Sequence, residues 1–155
     1  MSGGPEDRLA ALGITLPAVP SPAAAYQPWA VSGGLVLTAG QLPVVDGVLQ
    51  RTGRLGAELD TAEGAALART AALNVLAVAA AAAGGLGRVR VIKVTVFVAS
   101  DESFHEQHLV ANGASELIGE VLGDAGVHAR SAVGVSALPL GAPVEVEAVL
   151  EVVAG

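Results

Sequence analysis

The spacing of apolar and polar residues changes several times along this chain, and each change predicts an element. From residue 61 to 83 the run TAEGAALARTAALNVLAVAAAAA is apolar at most positions. Glu63, Thr70 and Asn74 fall roughly on one face, so a long helix with a broad buried surface is expected. Asp60, followed three positions later by Glu63, is an N-terminal capping pattern, and Gly84-Gly85 supplies the stop. Residues 88–99, RVRVIKVTVFVA, are β-branched and long enough for a central strand. Ser103 and Glu106 repeat the capping pattern and predict a second helix running to about Leu122, with Gly123 and Gly126 at its exit. Residues 129–137 and 144–153 read as two valine-rich strands. The short Leu138–Pro143 link between them predicts an antiparallel hairpin.

The N-terminal third reads differently. Residues 1–22 form an extension, with a helical turn around Asp7–Leu12 and then Pro17, Pro20 and Pro22, which force extended chain. A single domain follows over residues 23–155. Within it, residues 30–49 read as β structure. Val31 leads into the turn Ser32-Gly33-Gly34, and the run Leu35–Ala39 comes next. Gly40-Gln41-Leu42-Pro43 interrupts it, as a glycine at a bulge or close backbone approach does. Asp46-Gly47 is a hairpin signal. Residues 50–59 are a loop carrying Arg51, Arg54 and Glu58.

Hairpin, helix, strand, helix, hairpin is the order of an α+β two-layer domain: a mixed six-stranded sheet with two helices on one face. No segment remains to cover the other face, which points to association. Composition agrees. Hydrophobic residues make up 52% of the 155 and charged residues 15%, well below the usual quarter, so disorder is excluded. With no cysteine there is no disulfide framework, thiolate metal site or cysteine nucleophile. A net charge of −7 argues against nucleic-acid and anionic-membrane partners. The first residues carry acids and lack an apolar core of the signal-peptide kind, and the Val75–Ala83 run is short for a membrane span. The expectation is a soluble, cytoplasmic protein.

Scarce charge makes Arg130 conspicuous. It lies between apolar neighbours on a predicted strand, where a guanidinium needs an acceptor. Either it pairs internally with Glu145, Glu147 or Glu151 of the next strand, or it offers its fork to a bidentate carboxylate ligand. Glu145 and Glu147 share a strand face and could orient a water, or simply face solvent. His105 and His108 are three apart, without the i,i+4 spacing of a zinc helix motif, and His128 is remote, so no metal site is expected. Lys93, the only lysine, is a conceivable Schiff-base former but fits a strand-rim residue better. Tyr26, the only tyrosine, reads as an anchor for the extended N-terminal segment.

Four segments together resemble the RidA family of imine/enamine deaminases, also called YjgF-like proteins. Ala129-Arg130-Ser131, then Leu138-Pro139, then Val144-Glu145-Val146-Glu147-Ala148 is similar to the family's C-terminal signature. Thr38-Ala39-Gly40-Gln41-Leu42-Pro43 and Val94-Thr95-Val96-Phe97-Val98 resemble two further elements, and Tyr26 precedes Gly40 at the family's distance. The resemblance spans about residues 20–153. It implies a chorismate-mutase-like fold and a homotrimer with ligand clefts between subunits. It also implies hydrolysis of 2-imino acids or their enamines to 2-oxo acids and ammonia, without metal or organic cofactor. By the same resemblance Arg130 holds the substrate carboxylate, Glu145 orients or deprotonates water, Tyr26 lines the cleft and Gly40 lets backbone approach the ligand. Ala132 and His108 occupy pocket positions where the family often has cysteine and asparagine, and Ala39 replaces a serine, so the chain resembles a divergent branch. Two other readings remain open on this scaffold: a non-catalytic carboxylate-binding trimer, and an RNA-directed role, which the acidic charge disfavours.

Overall fold

The computed structural model describes residues 3–19 and 27–154. Its centre is helix α2 (Thr61–Ala83). Asp60 caps it reciprocally: its carboxylate accepts from the Glu63 backbone N–H at 2.9 Å, and the Glu63 carboxylate accepts from the Asp60 N–H at 2.9 Å. Gly84, at φ 79°, ends it in the left-handed conformation that glycine adopts without strain. By length and composition α2 could cross a membrane, but here Leu67, Ala68, Ala71, Val75 and Leu76 are buried in the core. A second helix, α3 (Gln107–Leu122), packs along it, and a short one, α1 (Pro5–Leu12), rests on α3. Gly113 lets the two long helices touch: a Cβ there would sit 1.9 Å from the Ala65 carbonyl oxygen.

Both long helices cover one face of a five-stranded sheet of order β1-β2-β7-β5-β6. The strands are β1 (Trp29–Ser32), β2 (Leu35–Thr38), β5 (Val89–Ala99), β6 (Ala129–Val135) and β7 (Val144–Val152). Two short strands, β3 (Val44–Val45) and β4 (Val48–Leu49), form a separate ribbon. They turn through Asp46 and Gly47, both at positive φ, as the Asp-Gly signal predicts. The sheet therefore has five strands rather than six, and a third helix lies in the N-terminal extension. The mixed α+β architecture is as expected.

Two local expectations fail. β6 and β7 do not form a hairpin. β5 lies between them, parallel to β6 and antiparallel to β7. The chain leaving β6 crosses the end of β5, where Ser100 N–H donates to Val135 O and Ala99 N–H to Pro143 O. The link from Ser136 to Pro143 is long enough to clear one strand, roughly 10 Å of lateral travel. The 11-residue apolar β5 satisfies both neighbours at once. Likewise Ser103 does not cap α3, which opens at Gln107. The Ser103 N–H and hydroxyl both donate to the Asp101 carboxylate, a local turn that competes with helix initiation.

Strand pairing fixes which side chains share a face. Val94, Val96 and Val98 lie under the helices, beside Val144, Val146 and Ala148 of β7 and level with Arg130, Ala132 and Gly134 of β6. The opposite face carries Leu35, Leu37, Lys93, Thr95, Phe97, Ser131, Val133, Glu145, Glu147 and Val149. Among the described residues nothing covers it, and Leu35, Leu37 and Val133 remain 42%, 44% and 42% exposed.

Candidate functional site

Arg130 stands on the edge strand β6, on the helix-covered side, and reaches along α3. Its Nη1 donates to Asn112 Oδ1 at 2.9 Å and to Ser115 Oγ at 3.1 Å, and its Nη2 donates to the His108 carbonyl oxygen at 3.2 Å. Residues 108, 112 and 115 recur at the helical interval, so one stripe of α3 presents all three acceptors. Every acceptor is neutral. Among the described residues no carboxylate pairs with Arg130, so the internal ion pair with the β7 glutamates does not form. Three of the five guanidinium N–H donors are occupied. Nε–H and one Nη2–H remain, the capacity a bidentate carboxylate requires.

Behind this cluster, Ser115 Oγ lies 2.9 Å from His128 Nε2, and His128 Nδ1 lies 2.6 Å from the Gly126 carbonyl oxygen. Asn112, Ser115 and His128 are absent from the expected site. The 108/112/115 stripe, and His128 two residues before Arg130 and just ahead of the same strand, are the signals that point to them. His108 contributes its backbone carbonyl, and its side chain is exposed.

Glu145 lies on the opposite face of the sheet, across from Phe97. Its carboxylate rests on Gly40, where a Cβ would come within 2.0 Å of Oε1. Gly40 therefore belongs to the site through van der Waals necessity, not backbone freedom. Its segment continues β2 past an interruption and rejoins β7 through Gln41, whose N–H and C=O bond Val146 at 2.8 and 2.9 Å. Asn74 of α2 fastens the next residues, its amide donating to the Leu42 and Val44 carbonyls at 3.0 Å each. Burial raises the Glu145 carboxyl above the ordinary glutamate value, and the neighbouring Glu147 charge raises it further. Protonated Glu145 is thus available closer to neutrality than an open glutamate would be.

Arg130 and Glu145 are consequently brought to one domain but to opposite faces of its sheet. Ala132 is level with Val96 and packs on the helix-side core. Lys93 is half-buried on the open face, between Ala129 and Val149. Tyr26 lies outside the described residues. Among the described residues no cluster of His, Asp and Glu side chains is arranged to hold a metal. A separate open hollow of about 480 Å³ is lined by Glu58, Asp60, Glu63 and Glu106 with Phe104 at its wall.

The chain matches the family model described as "YjgF/chorismate mutase-like, putative endoribonuclease" over residues 6–151. Protein TCP17 of Trypanosoma cruzi is 51% identical over 97% of this chain and 95% of its own length. The crystal structure of Atu1372 from Agrobacterium tumefaciens, a protein of unknown function, superposes with a TM-score of 0.89 at 47% identity, covering 96% of this chain and 92% of that one. A Shewanella oneidensis structure described as a putative endoribonuclease gives a TM-score of 0.93 at 33% identity, covering 97% of this chain and 100% of that one. More remote are RidA of an Antarctic Psychrobacter (28% identity, TM-score 0.58, covering 86% and 94%) and E. coli TdcF with bound serine (27% identity, TM-score 0.62, covering 90% and 96%). With a match over nearly its whole length and this shared fold, the chain belongs to the YjgF/chorismate mutase-like family.

Proposed function

We propose that this protein hydrolyses 2-imino acids and their enamine tautomers to 2-oxo acids and ammonia, as a homotrimer without metal or organic cofactor. The observation that carries the reading is the neutral ligation of Arg130. A half-buried guanidinium with only neutral acceptors and two free donors is a receptor for an anion, and a small carboxylate fits its fork. The serine bound to TdcF is a ligand of that class.

The second group required is a proton carrier, and Glu145 suits it. Protonated Glu145 gives its proton to the imine nitrogen, and the resulting carboxylate removes one from water as the water oxygen bonds to the imine carbon. The carbinolamine nitrogen then takes that proton back from Glu145, the C–N bond breaks with its electrons leaving on ammonia, and Glu145 accepts the hydroxyl proton as C=O forms. The imine carbon is already electrophilic, so orientation supplies much of the rate. Arg130 and Glu145 lie on opposite faces, so a cleft holding both draws them from different subunits. The exposed Leu35, Leu37 and Val133 supply an apolar surface for that contact. By the resemblance, Tyr26 would line the same cleft.

The deciding experiment supplies purified protein to an amino-acid oxidase reaction in which 2-imino acid is trapped by semicarbazide. Faster 2-oxo acid release and less trapped adduct are expected, with both effects lost in Arg130→Ala. Rates equal to buffer across several amino acids overturn the reading. Thermal stabilisation by pyruvate without turnover would assign a carboxylate-binding role instead.

A further inference from the structure

His128 and Ser115 form a polar pair that the proposed chemistry does not use, and their hydrogen bonds determine each other's protons. The Gly126 carbonyl can only accept, so His128 Nδ1, 2.6 Å from it, carries the ring proton. In the neutral ring Nε2 is then an acceptor, and the Ser115 hydroxyl, 2.9 Å away, donates to it. With its one proton committed, Ser115 Oγ turns only lone pairs toward Arg130 Nη1 at 3.1 Å. A serine free to rotate would spend part of its time aiming its O–H at the guanidinium.

We propose that His128 is a positioning residue which, acting through Ser115, fixes the rotation of the Arg130 guanidinium so that Nε–H and the unoccupied Nη2–H face an incoming carboxylate. It rests on the reading of Arg130 as the carboxylate holder. His128 does not touch the ligand. It sets the direction of one acceptor, and that acceptor, with Asn112 Oδ1 and the His108 carbonyl, sets the plane of the fork. A bidentate contact is directional, so a guanidinium held in this plane binds without first losing rotational freedom. A histidine that merely closed the turn at residues 123–126 would affect stability and leave Arg130 unmoved.

The test begins without ligand, by nitrogen-15 NMR at pH 8. His128 is expected as the Nδ1–H tautomer, and the Arg130 Nη protons as separate resonances from hindered rotation. Ser115→Ala and His128→Phe should merge those resonances. Ser115→Thr, which keeps the hydroxyl, and His128→Gln, which keeps an acceptor, should retain them. Pyruvate is then titrated as the probe: the first pair should bind it about tenfold more weakly, the loss expected for one hydrogen bond to a charged group, and the second pair within about twofold of wild type. An Nε2–H tautomer, or Arg130 resonances and pyruvate affinity unchanged in Ser115→Ala, overturns the proposal. If His128→Phe does not fold, Ser115→Ala carries the test. If wild type binds no pyruvate, the carboxylate-holder reading fails, and the ligand-free resonances still decide the positioning role.

Discussion

The two faces of the sheet are finished to different degrees. On the helix side Val94, Val96 and Val98, with Val144, Val146 and Ala148, enter a closed core, and Gly113 brings α3 into contact with the α2 backbone. Arg130 sits at the margin of that layer, with its neutral acceptors already in place. On the other side Glu145 rests on Gly40 amid half-exposed leucine and valine, with no layer above it among the described residues. On the proposed reading, one face carries the carboxylate-binding element and the other the proton carrier. Under the proposed function, the site is completed when the open face of one copy meets the Arg130 margin of another.

The largest effects come from breaking the closed layer. In Gly113→Ala the new methyl meets the Ala65 carbonyl oxygen at 1.9 Å, which only separation of the helices relieves. Overpacking against backbone of this kind costs about 3 kcal/mol, a fall in melting temperature of roughly 6–12 °C for a chain of this size. A thermal melt unchanged by the substitution would show that the helix contact is loose. Arg130→Ala should leave the melting temperature within a few degrees, because its three bonds are peripheral, while weakening pyruvate binding at least about a hundredfold through loss of two charge-assisted hydrogen bonds. The split between stability and binding is what separates a ligand receptor from a structural arginine.

Next in size are changes on the open face. Leu37→Glu places a charge in the proposed subunit contact. Light scattering should shift from trimer toward monomer mass, with turnover falling in parallel while the monomer stays folded. A wild-type chain that is already monomeric would refute the shared-cleft arrangement outright. Gly40→Ala displaces the Glu145 carboxylate and should lower turnover about tenfold with a smaller change in pyruvate affinity, since Arg130 is on the other face. Equal losses in both would mean that the two faces are not separate functional units.

The sequence reveals the closed face more readily than the open one. The Asp60/Glu63 box, Gly84 and the alternating β7 leave little freedom in α2 and the sheet pattern, because capping and burial periodicity are local properties. The order of β6, β5 and β7 is not local. Proximity in sequence favours a β6–β7 hairpin, while the long apolar β5 prevails by pairing on both edges, and no pattern within residues 129–153 signals that competition. The same holds for the sites. Arg130, Gly40 and Glu145 are singled out by the motifs that carry the family resemblance, but the contact between Gly40 and Glu145 is not. Asn112 and Ser115 become partners of Arg130, and His128 of Ser115, only once α3 is laid against β6. Nor does the sequence show that Arg130 and Glu145 are separated by the sheet, because that depends on register across three strands.

The smallest predicted effect concerns Glu145 itself, and its sign is definite. Burial and Glu147 raise its carboxyl in the folded state above the ordinary glutamate value. The fold therefore binds this proton more tightly than the unfolded chain does, so the associated stability is fully present below the ordinary glutamate range and is lost as pH rises through the raised value. Glu145→Gln mimics the protonated form at every pH. The mutant and wild type should melt together in acid, and the mutant should melt progressively higher as pH climbs from the ordinary glutamate value through the raised one, levelling off above it. Glu147→Gln in the wild-type background should shrink the difference without abolishing it, since burial is the larger cause. Paired melting curves across that range measure both. A constant gap would mean that Glu145 is as well hydrated as a surface glutamate. A gap that widens with protein concentration would mean that a second copy closes over this carboxylate.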